Sequence, residues 1–233
     1  MSDRPIAWLV LAAGLAAGCG SSASRPSVAQ TPAPAAKAHT APVKPHRPAH
    51  HRSALPPANN GSLPQTDQRP SSARRAFRAE MEALWAGVRG NSVHSALAAF
   101  FPQSAYAQVK AIADPHGDWQ DRLVGGYAQD LTAAHSLLGS GAGDAQLVEV
   151  NVPAQYAHWV PPGSCSNRLG YWEVPNSRVV YRVHGELRSF GIASLISWRG
   201  YWYVVHLGSV GGGGGVVDDP QAGKGTAAPS STC

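Results

Sequence analysis

Charge is scarce in this chain: only 14% of its 233 residues are Asp, Glu, Lys or Arg, and aromatic residues make up 8%. So low a charged fraction excludes a solvated polyelectrolyte. Cysteine occurs three times, as Cys19, Cys165 and Cys233, too few for a disulfide-stapled miniprotein. No apolar run reaches the roughly 18 residues of a membrane-spanning helix, and no repeat of fixed period is visible, which excludes a solenoid. HExxH, GxSxG and Cys-x-x-Cys patterns are all missing. The run of glycines at 211–215 is followed by neither Lys-Ser/Thr nor a helix pattern, so it is not a phosphate loop. No motif calls for a cofactor or a metal.

What the chain does have is unevenly placed. Residues 20–72 hold ten of the nineteen prolines and not one aromatic residue. Such a segment cannot bury enough surface to offset the entropy of ordering, and it reads as an extended, partly polyproline tether. Its cations are Arg25, Lys37, Lys44, Arg47, Arg52 and Arg69, and its one acid is Asp67, so it carries the whole formal charge of +5. The remainder is neutral, which argues against nucleic-acid binding by the fold. A basic strip beside a membrane would attract anionic head groups or wall polymers; a solubilising spacer is the plain alternative.

Residues 6–17, IAWLVLAAGLAA, have the length of a signal-peptide apolar region. As a helix they span about 18 Å at 1.5 Å per residue, too short for a hydrocarbon core of roughly 30 Å. They end in Ala16, Ala17, Gly18 and Cys19, and this stretch resembles the lipobox of bacterial lipoproteins. The resemblance implies a signal peptide over 1–18, lipid on Cys19, and a protein anchored on the extracytoplasmic face of the cell membrane. An ordinary secretory signal cut near Ala16 or Gly18 is the alternative.

From residue 73 the texture changes. Seventeen of the eighteen aromatic residues fall between Phe77 and Tyr203, and one domain is expected over 73–210, followed by a flexible Gly-rich tail over 211–233. Phe77, Met81, Leu84, Trp85 and Val88 trace one helix face, with Ser71 or Ser72 as cap. A second helix begins at Asn91 or Ser92 and ends before Pro102, and a short third carries Tyr106 and Val109. A longer one is capped by Asp118 and carries Trp119, Leu123, Tyr127, Leu131 and Ala134. Beyond Gly143 the period becomes two: strands are predicted over 147–152, 155–160, 178–183, 187–198 and 201–207, with a long loop over 161–177 and turns at His184-Gly185 and Arg199-Gly200. Helices followed by an antiparallel meander indicate α+β. The element order resembles the cystatin-like or NTF2-like cone, in which helices cover a curved sheet and leave a cavity; a two-layer sandwich is the alternative.

On the strand 187–198, Ser189, Gly191, Ala193 and Ser197 are small, which either lets another segment approach or leaves room for a ligand. Arg182, Trp202 and His206 form the candidate pocket wall. Asp130 reads as an exposed helical acid. With Cys19 acylated, Cys165 and Cys233 are the two remaining thiols and the candidate disulfide; a buried free Cys165 and a nucleophilic Cys165 are the alternatives. The expected function is a membrane-anchored module that binds a ligand or partner and is not an enzyme. The alternative is an envelope hydrolase or isomerase, and a histidine within reach of a carboxylate inside a concave pocket would favour it.

Overall fold

Apolar residues at helical spacing bury the first helix, α1 (Arg75–Gly90), along the predicted stripe. Its end is set by Asn91, whose left-handed φ of 46° returns its N–H to the carbonyls of Gly87 and Val88, a conformation Asn tolerates. No side chain caps its start. Ser92 caps α2 (Val93–Ala96) by accepting from Ser95 N at 3.3 Å. After Pro102 comes α3 (Gln103–Val109). Asp114, not Asp118, opens the next helical run: its Oδ1 accepts from Gly117 N at 2.9 Å, with Pro115 as the first helical residue. That run comprises α4 (Pro115–Asp118), a π-helical turn (Trp119–Val124) and α5 (Gly125–Ser136).

The computed structural model describes residues 62–211 and 215–230, all within one compact unit. The expected signal peptide over 1–18, Cys19, the rest of the expected tether as far as 61, and Cys233 lie outside the described residues.

Among the described residues six strands form one antiparallel sheet: β1 (Gln146–Asn151), β2 (His158–Val160), β3 (Tyr171–Val183), β4 (Glu186–Trp198), β5 (Tyr201–Leu207) and β6 (Gln221–Ala222). The central order is β1-β3-β4-β5, so the fold is α+β with an open sheet. β3 starts at Tyr171, seven residues before the predicted strand. Its first part pairs with β2 and its second with β1, and Pro175 with left-handed Asn176 (φ 55°) marks the junction. Proline and asparagine concealed this strand because both are depleted from strands. The turns at His184-Gly185 and Arg199-Gly200 are where the sequence places them, with positive φ at all four residues.

One core joins the helices to the sheet, built from the α1 stripe, Phe100, Phe101, Tyr127, Leu131 and inward residues of β3 to β5. Phe100 stacks on Tyr127 at 3.4 Å between centroids. Tyr127 Oη then donates to Val204 O at 2.7 Å, which ties α5 to β5.

Two boundaries move outward. Residues 62–72, expected in the tether, dock on the domain: Gln65 Nε2 donates to Ser197 O at 3.0 Å, Arg199 N donates to Gln65 Oε1 at 2.7 Å, and Arg69 sits 5.3 Å over the Trp172 ring. The expected flexible tail is also laid on the sheet over 215–230. β6 pairs with β4, and Asp219 forms an ion pair with the buried Arg178, which also donates to Asp219 O at 2.9 Å. The small face of β4 thus serves close approach: a Cβ on Gly191 would lie 2.2 Å from the Asp219 carboxylate.

Candidate functional site

Packing α3, the π-helical turn and α5 over β4 and β5 leaves a cavity of about 260 Å³. Its apolar walls come from Phe101, Val109, Leu123, Ile196 and Val205. Polar groups gather in two places, Lys110 with Arg122 and Tyr106 in one, Asp130 with His206 in the other.

Asp130 is buried at 1% exposure, the reverse of the expected exposed acid. Its Oδ2 accepts from Leu207 N at 3.1 Å and lies 3.3 Å from His206 Nδ1, while Oδ1 accepts from Gly215 N at 3.1 Å. The carboxylate therefore ties α5, β5 and the start of the tail together. A signal for this was present: Asp130 lies three residues after Tyr127 and four before Ala134, on the buried face.

Of the predicted pocket residues, His206 lines the cavity. Trp202 is buried in the core instead, and Arg182 projects at the far end of β3, donating to Gly185 O at 2.9 Å. The three do not meet, because Arg182 pairs beside Leu187 whereas the cavity uses β4 only from Ala193 onward. Register shifts between β4 and β5 around Ser194 also break the strict alternation on which that grouping relied.

Ser194 is the residue across the strand pair from His206 and also lines the cavity. Its hydroxyl donates to Glu173 Oε1 at 2.7 Å. Glu173 is fully buried, with Oε2 3.2 Å from His158 Nε2. Sequence reasoning passed over this Ser194, Glu173 and His158 group because Glu173 lay in the presumed loop.

At the other pole Arg122 donates from Nε to Asp118 Oδ1 at 2.8 Å and from Nη2 to Asp118 Oδ2 and Tyr106 Oη at 2.7 and 2.6 Å. The Arg122 hydrogen bonds hold the Asp118 carboxyl down at about 2, and burial, followed by the bond to Asp118, pushes Tyr106 up to about 12. Lys110 Nζ donates to Cys165 O at 3.0 Å and lies 6.0 Å from the Tyr106 ring centre. Burial first, and then the nearby Arg122 charge, lower its pKa.

Cys165 lines the cavity and is disulfide-bonded. This removes the free-thiol and nucleophile alternatives. The other two cysteines, Cys19 and Cys233, both lie outside the described residues. Among the described residues no group of three or more His, Cys, Asp or Glu could hold a metal ion, and no helix is long and apolar enough to cross a membrane.

The chain matches no protein-family model, and neither a curated protein nor a solved structure is significantly similar to it.

Proposed function

We propose that this chain is an exported lipoprotein, acylated at Cys19, whose α+β domain binds a small ligand in the cavity between its helices and β4-β5. The observation that carries the binding reading is the cavity itself: apolar and aromatic walls with a few convergent polar groups are the usual make-up of a small-molecule site. The disulfide at Cys165 supports export, since such bonds persist in oxidising compartments. A cavity between the helices and the sheet supports the cone-like variant of the fold.

The second reading, an isomerase or hydrolase, is favoured by His206 beside Asp130 in the cavity. A carboxylate on Nδ1 orients an imidazole and leaves Nε2 for proton transfer. A serine nucleophile is not assembled, because the one Ser194 hydroxyl proton goes to Glu173 rather than to His206. General acid–base chemistry is what remains to this reading.

One experiment separates the two. The full chain is screened by thermal shift against a library of small organic acids, amides and alcohols, beside an Ala193→Phe variant that fills the cavity, and bound compounds are recovered for mass spectrometry. Binding predicts compounds that raise the Tm of the wild type alone and return unchanged; a ligand at 100 times its Kd adds about 2.7 kcal/mol. Compounds converted by the wild type and not by His206→Gln establish the second reading. Equal shifts in the filled variant overturn the cavity as the site.

A further inference from the structure

We infer that the cavity takes a small amphipathic anion, its acid group held by Lys110 and Arg122 and its apolar body by the walls of Phe101, Val109, Leu123, Ile196 and Val205. This rests on the binding reading above and names its ligand class.

Lys110 is an ammonium without a carboxylate partner among the described residues. Of its three N–H donors one goes to Cys165 O, and its other close neighbour is the face of Tyr106. It is also half-buried beside a second cation, an environment that penalises its charge. Arg122 has a carboxylate partner, but Asp118 and Tyr106 use only Nε and Nη2. Its Nη1 has no partner in the described structure. Lys110 and Arg122 both line the cavity, Arg122 with its side chain 56% exposed, so two cations with unused donors stand at one pole. Asp118 is bound to Arg122 and its charge also reaches Lys110, so a single carboxylate stands against two cations.

The opposite pole does not compete for an anion. The Asp130 carboxylate there is occupied by two backbone N–H groups and His206, so a negative group would be repelled from it, which fixes the ligand's direction. A cavity of about 260 Å³ sits just below the usual range of roughly 300–1,000 Å³ for small-molecule sites. The ligand is accordingly a single medium-length chain or a single ring bearing one carboxylate or phosphate.

Octanoate, octanamide and octylammonium share the apolar body and differ in charge. Titrated calorimetrically into the full chain, octanoate is expected to bind at least tenfold more tightly than octanamide, and octylammonium least. Lys110→Gln should bring octanoate down to the octanamide affinity, and Lys110→Arg should restore most of the difference, which also shows that the site survives substitution. Backbone amide shifts at Ser194 and Val205 on adding octanoate place it in the cavity. Octanamide or octylammonium binding as well as octanoate overturns the anion inference and leaves the binding reading standing. If none of the three binds, a wider set of carboxylates, phosphates and their neutral isosteres that also fails in the wild type overturns both.

Discussion

Glu80 is the residue most at odds with its surroundings. It lies on the buried face of α1 at 4% exposure, and neither carboxyl oxygen has a hydrogen-bond partner. Burial pushes its pKa from 4.5 to about 8, because an unpaired charge is costly away from water. The folded protein therefore keeps a proton that the unfolded chain releases. Stability from this residue is complete below about pH 4.5 and is lost as the pH rises through about 8. Glu80→Gln, neutral at every pH, should remove that loss: wild-type Tm falls by several degrees more than the variant's between pH 5 and pH 8, at about 2–4 °C per kcal/mol for a domain of this size. Parallel melting curves across that range would mean that Glu80 is ionised in the folded state and would sink the assignment. The sequence carries a signal for this: Glu80 lies three residues after Phe77 and four before Leu84, on the apolar stripe of a helix whose other charged residues face outward.

At the scale of elements, the tail behaves as a packed part of the domain rather than an appendage. Arg178, at 2% exposure, stands on β3 with its guanidinium bonded to the Asp219 carboxylate and carbonyl and to Ser189 Oγ at 3.1 Å. Gly191 N donates to the other Asp219 oxygen at 3.0 Å. Removing one partner of a buried pair leaves an uncompensated charge and costs about 3–5 kcal/mol, so Asp219→Ala should lower the Tm of the full chain markedly and expose residues 215–230 to protease. Gly191→Ala should do the same by another route, since its methyl group would occupy the Asp219 position. Unchanged melting in both variants would show that the tail is not held by this pair. The same residues explain what was legible beforehand. α1, the β4-β5 hairpin and its glycine turns were readable because periodicity and turn chemistry are uninterrupted there. The seat of the tail was half-readable: Ser189 and Gly191 announced a close approach, yet no pattern declares that Arg178 is buried or that an Asp forty-one residues later neutralises it. Strand alternation groups His206 with Trp202, but the cavity takes the consecutive residues Val205, His206 and Leu207 where the register shifts, and Asp130 reads as exposed only until its helix face is considered.

For the whole molecule, charge and sulfur lead to one arrangement. Docking of residues 62–72 places Asp67 and Arg69 with the domain, and these cancel. The formal charge of +5 then resides in Arg25, Lys37, Lys44, Arg47 and Arg52, directly after the proposed lipid and before a neutral fold. That order suits a domain held near an anionic surface, with roughly 1 kcal/mol of attraction per cation close to the membrane. The three cysteines constrain this reading tightly. Cys165 is disulfide-bonded, and a thioether-linked lipid on Cys19 would leave only Cys233 to pair with it. A single non-reducing peptide map of the membrane-extracted protein therefore tests lipidation and disulfide pairing side by side. The expected result is a Cys165–Cys233 cross-linked peptide beside an N-terminal peptide carrying acyl mass on Cys19. Globomycin should accumulate the precursor, and Cys19→Ala should leave the detergent phase. A Cys165–Cys19 cross-link would overturn the anchor and the tail closure at once, since a cysteine bonded to the domain cannot also carry the lipid.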